Sequence, residues 1–426
     1  QGAHRRGREA VGAAAGGRGE AGKDHGRRGR GHVHPEGAAG TGGLHADAER
    51  ERAQRPGHQA EGVGGAGEGK GKDLQLYVSS TDVHDEDWEP QFMVYLDGKF
   101  VRGMDTKHRY VKLNGDKDSC DVHIYAYSQP SGKRTDFFAQ LCEFNREAEK
   151  LYYNLKAPYR ILYYTDESAK EYADVREYLN TAINYINWCA PMSEEFLQSI
   201  DAANEYLMTE FYGKYCCDKD IKVSVIGHTH IDVAWRWTLD QTREKVQRTF
   251  GSVIEMMKKY PDYKFMSSQP QLLKFLKEES PEKYAEVKKL VKEKRIELEG
   301  SMWLEADCNL TSGESLVRQI IFGKRFFKNE FGVDNRIIWL PDVFGYSAAM
   351  PQIMKKSGID KFVTSKIGWN ETNRMPYDAF MWKGIDGSEV FSYFMTAKEL
   401  NDKGKLDGFF STYTPMTRAS YIKGTY

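Results

Sequence analysis

The sequence predicts a mixed α/β protein whose second half is built on a parallel sheet, and three observations indicate this. Helical segments such as Thr242–Lys259 and Glu314–Glu330 alternate with apolar segments. Polar residues follow several of those apolar segments, where α/β proteins place their active sites. Helical crossovers between strands indicate a parallel sheet, as a barrel or a doubly wound layer, and periodicity does not separate these two. The predicted strands are 222–227, 263–267, 295–299, 336–340, 361–365 and 390–395.

Residues 1–72 differ from the rest of the chain. They contain 21 of the 40 glycines and 6 of the 11 histidines, but no Phe, Tyr, Trp or Ile. Because so little apolar surface cannot offset the entropy of ordering, we expect a disordered low-complexity segment. Its Gly, Arg, Ala and His bias also suggests a frame-shifted translation. We therefore do not count His25, His32 and His34 as metal ligands.

Two further regions precede the predicted parallel sheet. Residues 73–136 hold alternating apolar runs separated by Asp-Gly and Asn-Gly pairs, which are typical of a small antiparallel β domain. Residues 137–218 predict a helical connector, with one helix beginning near Ser193. The α/β domain then occupies 219–426, where Thr311 and Glu314 form a predicted capping box for its later helix.

The composition is that of a globular protein without extreme charge. The 426 residues are 40% hydrophobic, with a net charge of −1. Neither charge forms a long block, and no run approaches the roughly 18 apolar residues that span a bilayer. We therefore expect a soluble chain with a small neutral substrate, and neither nucleic acid nor a membrane as partner. Six scattered cysteines indicate a reducing compartment, the cytoplasm. The sequence leaves open whether the protein forms a homo-oligomer.

The strongest chemical pattern is His228-x-His230-x-Asp232, directly after the first predicted strand of the sheet. Alternate residues of an extended segment point the same way, and imidazole with carboxylate suits a borderline cation such as Zn²⁺. Asp342 is a second candidate, because it follows strand 336–340, although it could instead cap a helix that begins near Ser347. Tryptophans near the strand ends could stack on sugar rings.

Three ordered motifs resemble those of glycoside hydrolase family 38, the α-mannosidases. They are Gly-His-Thr-His-Ile-Asp-Val-Ala-Trp (227–235), Glu-Ala-Asp-Cys-Asn-Leu-Thr-Ser-Gly-Glu-Ser-Leu-Val-Arg-Gln (305–319) and Trp-Leu-Pro-Asp-Val-Phe-Gly-Tyr-Ser (339–347). The second resembles the bacterial, fungal and cytosolic branch, and the similarity runs from about Leu74 to Tyr426. The resemblance implies an α/β barrel of seven parallel strands as the catalytic domain. It also implies a role in mannose metabolism, the hydrolysis of terminal α-linked mannose from oligosaccharides.

The same resemblance implies roles for single residues. One Zn²⁺ per site would be held by His230, Asp232 and Asp342. Asp342 would also be the nucleophile of a double displacement that retains configuration at the anomeric carbon. The family's fourth ligand, a histidine, and its general acid/base are expected beyond Tyr426, so the chain looks truncated. His228 would orient its neighbours. The side chains expected to contact the sugar are Trp235, Phe344, Lys366, Trp303 and Asp307.

Two other functions stay open. A barrel amidohydrolase that uses a metal also has a His-x-His pair after its first strand, but it needs two later histidines, and none follows His230. An inactive sugar-binding remnant is the second alternative, because the acid/base carboxylate is not identified. The extension to Asp232 and Trp235, together with the Asp342 motif, favours the mannosidase.

Overall fold

The computed structural model describes residues 27–33, 57–60, 73–80, 91–105, 108–114, 117, 119–127, 137–162, 165–216, 226–366 and 377–395. In these ranges the chain forms a β region, a helical region and an α/β region, in that order. The predicted mixed α/β class is confirmed. The first predicted strand of the parallel sheet lies mostly outside the described residues, and so does Cys217.

The β region forms two small sheets. Its strands are β1 (Arg27–Val33), β2 (Gly57–Ala60), β3 (Leu74–Ser80), β4 (Gln91–Leu96), β5 (Lys99–Met104), β6 (Tyr110–Lys112), β7 (Cys120–Tyr127) and β8 (Phe137–Glu143). One sheet has the order β1-β2-β7-β4-β5, with an additional β1–β7 pairing, and the other has the order β6-β3-β8. β4 and β5 are antiparallel around Asp97 and Gly98, whose positive φ angles of 48° and 74° suit a tight hairpin. The Asp-Gly turn signal is therefore confirmed.

β1 and β2 lie within the segment 1–72, for which we predicted disorder or a frame shift. Both pair with β7. The remainder of that segment lies outside the described residues, including His25 and His34. The bounds of the four predicted domains stay predictions.

The helical region contains three α-helices that pack around one apolar cluster. They are α1 (Arg146–Leu162), α2 (Lys170–Asn184) and α3 (Glu194–Tyr206), and a π-helical segment, Leu207–Tyr215, continues α3. The Ser193 Oγ accepts a hydrogen bond of 3.1 Å from the Phe196 N–H, so the predicted helix start is confirmed.

The α/β region alternates strands and helices as predicted. Its elements are β9 (Gly227–His228), α4 (Leu239–Lys259), β10 (Phe265–Ser267), α5 (Pro270–Glu279), α6 (Pro281–Lys292), β11 (Ile296–Leu298), α7 (Gly313–Phe331), β12 (Ile337–Trp339), α8 (Met350–Lys356), β13 (Lys361–Thr364), β14 (Ala379–Lys383) and β15 (Glu389–Phe394). β9, β10 and β11 are parallel, and so are β12, β13 and β15. The Gly300 N–H donates to the Ile337 carbonyl at 3.2 Å, which joins the edges of the two sheets.

The region departs from the expected barrel in two respects. β14 pairs antiparallel with β15 and was not predicted. Within the described residues the two sheets do not close on each other, so the barrel of seven parallel strands is not confirmed.

The start of α7 corrects one prediction. Ser312, not Thr311, is the N-cap, and its Oγ accepts from the Ser315 N–H at 3.3 Å. Because the N-cap lies one residue later than predicted, Glu314 is the second residue of the helix and not the third, which is the position that a capping box requires. Instead it accepts a hydrogen bond of 2.9 Å from Arg318, one turn further on. The predicted capping box of Thr311 and Glu314 is wrong.

Two buried apolar clusters support the sheets of the α/β region. One packs α4, α5 and α6 against β10 and β11, and the other packs α7 and α8 against β12, β13 and β15. This packing fixes the strand ends, from which the polar loops extend. In the part of the chain that the structure describes, no helix has the length and apolarity needed to cross a bilayer.

Candidate functional site

Three of the predicted residues converge at the carboxyl ends of the strands. His230, Asp232 and Asp342 each offer one ligand atom, and these atoms all lie within 4.8 Å of one another. The His230 Nε2 lies 2.9 Å from Asp232 Oδ1 and 3.5 Å from Asp342 Oδ2. The first motif therefore meets the strand-β12 motif, more than 100 residues later in the chain.

This donor set fits a divalent cation. One imidazole nitrogen and two carboxylate oxygens are the ligands that Zn²⁺ takes in catalytic sites. The side chains of His230, Asp232 and Asp342 are 25%, 34% and 31% exposed, so a cation and a substrate could reach them.

The other nitrogen of His230 faces a buried carboxylate that the sequence analysis did not single out. The His230 Nδ1 lies 2.7 Å from Glu305 Oε2, and the Glu305 side chain is only 4% exposed. Burial alone would lower the pKa of His230, but Glu305 and then Asp232 outweigh it and raise that pKa to about 9. Burial raises the pKa of Glu305, against the opposing effect of His230.

His228 is turned away from the three converging residues. Its Nε2 lies 3.1 Å from the Ser268 Oγ, and its ring packs edge-on against Trp339 at a centroid distance of 5.2 Å. Burial, followed by the charge of His230, lowers the pKa of His228 to about 4. These contacts support the expectation that His228 orients its neighbours.

Lys366 forms an ion pair with Asp342. Its Nζ contacts the Asp342 Oδ1, while the other carboxylate oxygen faces His230. The hydroxyl of the half-buried Tyr346 holds the loop on which Asp342 lies, since it donates to a carbonyl of that loop and contacts the Thr364 hydroxyl on β13. Asp342 does not cap a helix, because α8 begins only at Met350.

Two of the predicted sugar-contacting aromatic residues are exposed near these groups. Phe344 is 71% exposed, and the Lys366 Nζ lies 4.9 Å from the centre of its ring. Trp235 is 63% exposed and packs edge-on against Trp237, with Arg236 stacked over it at 4.7 Å. Exposed rings beside polar groups suit the stacking of a sugar.

The other two predicted sugar-contacting residues make structural contacts. Trp303 donates from its Nε1 to Gln271 Oε1 at 3.0 Å and packs edge-on against Phe326. The Asp307 Oδ1 accepts backbone hydrogen bonds from Asn309 and Leu310, which fixes the turn before α7. A role for either in sugar binding stays a prediction.

Sequence reasoning missed Glu305 and Ser268. Both follow strands of the parallel sheet, Glu305 after β11 and Ser268 directly after β10. Glu305 is the first residue of the second motif but was not singled out within it, whereas the rule that site residues follow such strands would have found Ser268, had it been applied after β10.

Comparisons with known proteins show that the chain is similar to α-mannosidases. The family model for the N-terminal domain of glycosyl hydrolases family 38 matches residues 220–423. Alpha-mannosidase G of Dictyostelium discoideum is 37% identical over 260 residues, 61% of this chain and 23% of that protein. Alpha-mannosidase of Saccharomyces cerevisiae is 46% identical over 169 residues, 39% of this chain and 16% of that protein. Alpha-mannosidase 2C1 of Homo sapiens is 33% identical over 274 residues, 64% of this chain and 26% of that protein. The chain thus spans about a quarter or less of the length of these relatives.

Proposed function

We propose that this chain carries part of the active site of a zinc-dependent, retaining α-mannosidase. Its residues 220–423 match the family model for the N-terminal domain of glycosyl hydrolases family 38. The substrates would be oligosaccharides with terminal α-linked mannose. The observation that carries this proposal is the convergence of His230, Asp232 and Asp342 within 4.8 Å. The three named relatives are α-mannosidases, which favours this function over an amidohydrolase or a sugar-binding remnant.

His230, Asp232 and Asp342 would hold the cation, and bound Zn²⁺ would supply positive charge for recognition of sugar hydroxyls. The net charge of the groups around it supports this. The site contains three carboxylates, those of Asp232, Asp342 and Glu305, but only two basic groups, the ammonium group of Lys366 and one imidazole. A divalent cation would balance the excess negative charge.

Asp342 is suited to act as the nucleophile. One carboxylate oxygen contacts Lys366 and the other faces His230, so its orientation is fixed before a substrate arrives. Double displacement needs such a carboxylate on one side of the anomeric carbon and a general acid/base about 5 Å away. We propose no residue of this chain for that second role. The exposed rings of Trp235 and Phe344 would line the sugar site.

Three less direct proposals accompany this function. The two sheets of the α/β region would be parts of one barrel, which the backbone hydrogen bond from the Gly300 N–H to the Ile337 carbonyl supports. The protein would act in the cytoplasm, which the cysteines at 120, 142, 189 and 308 support, because none of these four described residues forms a disulfide. Trp303 and Asp307 would contribute to sugar binding from the loop that precedes α7.

The test is hydrolysis of an aryl α-mannoside, with and without a metal chelator. Because the chain spans a quarter or less of its relatives, the assay also uses a protein in which a relative's downstream sequence completes it to that relative's length. We expect that protein to release mannose with retained configuration, to lose activity with chelator and to regain it with Zn²⁺. An inactive completed protein that is folded would refute the proposal.

A further inference from the structure

We propose that Glu305 is a positioning residue, which fixes the His230 ring so that Nδ1 carries the proton and Nε2 faces Asp232 and Asp342. The inference rests on the proposed function in one respect, since it assumes that Nε2 is the atom offered to the cation. It goes beyond that function by assigning a role to a buried carboxylate outside the three converging residues.

The first observation is the geometry of the contact between the two side chains. The His230 Nδ1 and the Glu305 Oε2 are 2.7 Å apart, which is a close ion-pair distance. Both atoms are buried; their contact is a close ion pair that lacks the geometry of a regular hydrogen bond, and neither atom has another hydrogen-bond partner in the described part of the chain. Since a buried polar atom left alone is unfavourable, each of these atoms depends on the other.

The second observation is that the other oxygen of Glu305 is also held. The Ser268 hydroxyl donates to Glu305 Oε1 at 3.2 Å, and the Ser268 Oγ lies 3.1 Å from the His228 Nε2. Because the Ser268 proton is directed at Glu305, its oxygen is left to accept from His228. The chain His228–Ser268–Glu305–His230 thus fixes the carboxylate on both sides. This gives His228 a specific part in orienting the site without contact with the cation.

The third observation is that the backbone of Glu305 is tied to the His230 motif. The buried amide of Gln269 donates to the Ile231 carbonyl at 3.1 Å and accepts from the Glu305 N–H at 3.4 Å. One side chain from the loop after β10 therefore links the two loops that carry His230 and Glu305. Their relative position is set before any ligand arrives.

Glu305 is suited to positioning rather than to contact with cation or sugar. The two nitrogens of an imidazole point in opposite directions, so a carboxylate at Nδ1 does not share a cation with Nε2. Its 4% exposure contrasts with the 31% of Asp342 and the 34% of Asp232, which leaves it out of reach of a sugar. In metal sites a partner of this kind fixes the ring and its tautomer, and its loss lowers metal affinity by about 10–100-fold.

The experiment compares four forms of the full 426-residue chain: wild type, Glu305→Leu, Glu305→Gln and Glu299→Gln. Glu299 is the matched control, because it is another carboxylate after β11 with a buried oxygen, and its neighbours are Glu297, Asn335, Arg336 and Ile337. Zn²⁺ affinity is measured by competition with a chromophoric chelator. The protonation of the His230 ring nitrogens is read without metal, at a pH above the His230 pKa of about 9, where the ring is neutral, from ¹⁵N chemical shifts in histidine-labelled protein, with His230→Asn to assign the signal.

We expect Glu305→Leu to weaken Zn²⁺ binding about 10–100-fold and to give a mixture of His230 tautomers. Glu305→Gln, whose amide oxygen can still accept from Nδ1, should keep affinity within about tenfold and keep Nδ1 protonated. Glu299→Gln should match wild type in both readouts. If Glu305→Leu does not fold, Ser268→Ala replaces it, because it frees the carboxylate and should weaken binding in the same direction.

Two results would overturn the inference. One is wild-type affinity with an unchanged tautomer in Glu305→Leu, or wild-type affinity in Ser268→Ala where that variant replaces it, and the other is an equal loss of affinity in Glu299→Gln. A wild-type chain that binds no Zn²⁺ would instead count against the proposed metal site. The tautomer measurement needs no metal, so it would still decide the role of Glu305.

Discussion

Replacing Gly323 by alanine tests the packing that holds the Glu305 loop. Gly323 lies in α7, and a Cβ there would come within 2.3 Å of the Ser301 carbonyl oxygen and 2.6 Å of the Met302 carbonyl carbon. Both are backbone atoms, so α7 or the loop must shift. We take the upper end of the usual overpacking cost, about 3 kcal/mol, and subtract about 1 kcal/mol for the better helix propensity of alanine. The variant should be less stable by about 2 kcal/mol, which lowers Tm by about 4–8 °C for a domain of this size.

Gly313→Ala is the control within the same helix. No atom lies within 4 Å of the Cβ that it would add, so only the propensity change applies. We expect this variant to be as stable as wild type, or more stable by up to about 1 kcal/mol. Thermal unfolding followed by circular dichroism compares the three proteins. A Gly323→Ala protein that melts at or above the wild-type temperature would refute the close packing of α7 on this loop.

Three further predictions concern the nucleophile, the cap of α7 and a buried acid. Asp342→Asn should lower aryl α-mannoside hydrolysis by the completed protein on the order of 10³-fold or more, and activity close to wild type would exclude Asp342 as nucleophile. Ser312→Ala should cost about 1 kcal/mol in urea unfolding, whereas Thr311→Ala should stay within about 0.5 kcal/mol, and the reverse order would restore the predicted capping box. Burial and the charge of Glu297 raise the pKa of Glu299 to about 6, so the folded state holds this proton more tightly than the unfolded state. Stability should therefore fall as pH rises from about 4 to about 6, by about 1 kcal/mol after allowance for solvent screening, and Glu299→Gln should abolish that fall. Equal pH profiles for the two proteins would contradict the shift.

The alternation of strands and helices was predictable because each core strand is a short apolar run bounded by polar residues. β14 was missed, since the residues of Ala379–Lys383 alternate between exposed and half-buried positions at the sheet edge. The prediction placed the N-cap of α7 one residue too early, because Thr311 and Ser312 are chemically equivalent capping groups. Only the backbone conformation decides between them. Whether the sheet closes into a barrel depends on pairing between strands that are far apart in the sequence, and local sequence patterns do not predict such pairing.

The metal-binding candidates were predictable because their spacing is itself geometric. His230 and Asp232 are alternate residues of one extended segment, and Asp342 follows another strand of the sheet. Glu305 and Ser268 are joined by a hydrogen bond although 37 residues separate them in the sequence, so no local sequence pattern predicts their contact. Asp307 lies in one of the motifs that carry the resemblance and Trp303 lies just before that motif, yet their contacts are those of a turn and of packing. A motif thus predicted which residues gather near the site, but not which way each side chain points.

The His230 ring divides the carboxylates of the site into two kinds. The one at Nδ1, from Glu305, is nearly inaccessible, and those at Nε2, from Asp232 and Asp342, are about one third exposed. A buried carboxylate that cannot reach a ligand contributes only through the ring it holds, whereas an exposed one can bind a cation and a sugar. Asp342 is also held by Lys366, so the group proposed as nucleophile is oriented at both oxygens. Because contacts within the chain hold these groups, little reorganisation remains for substrate binding to drive.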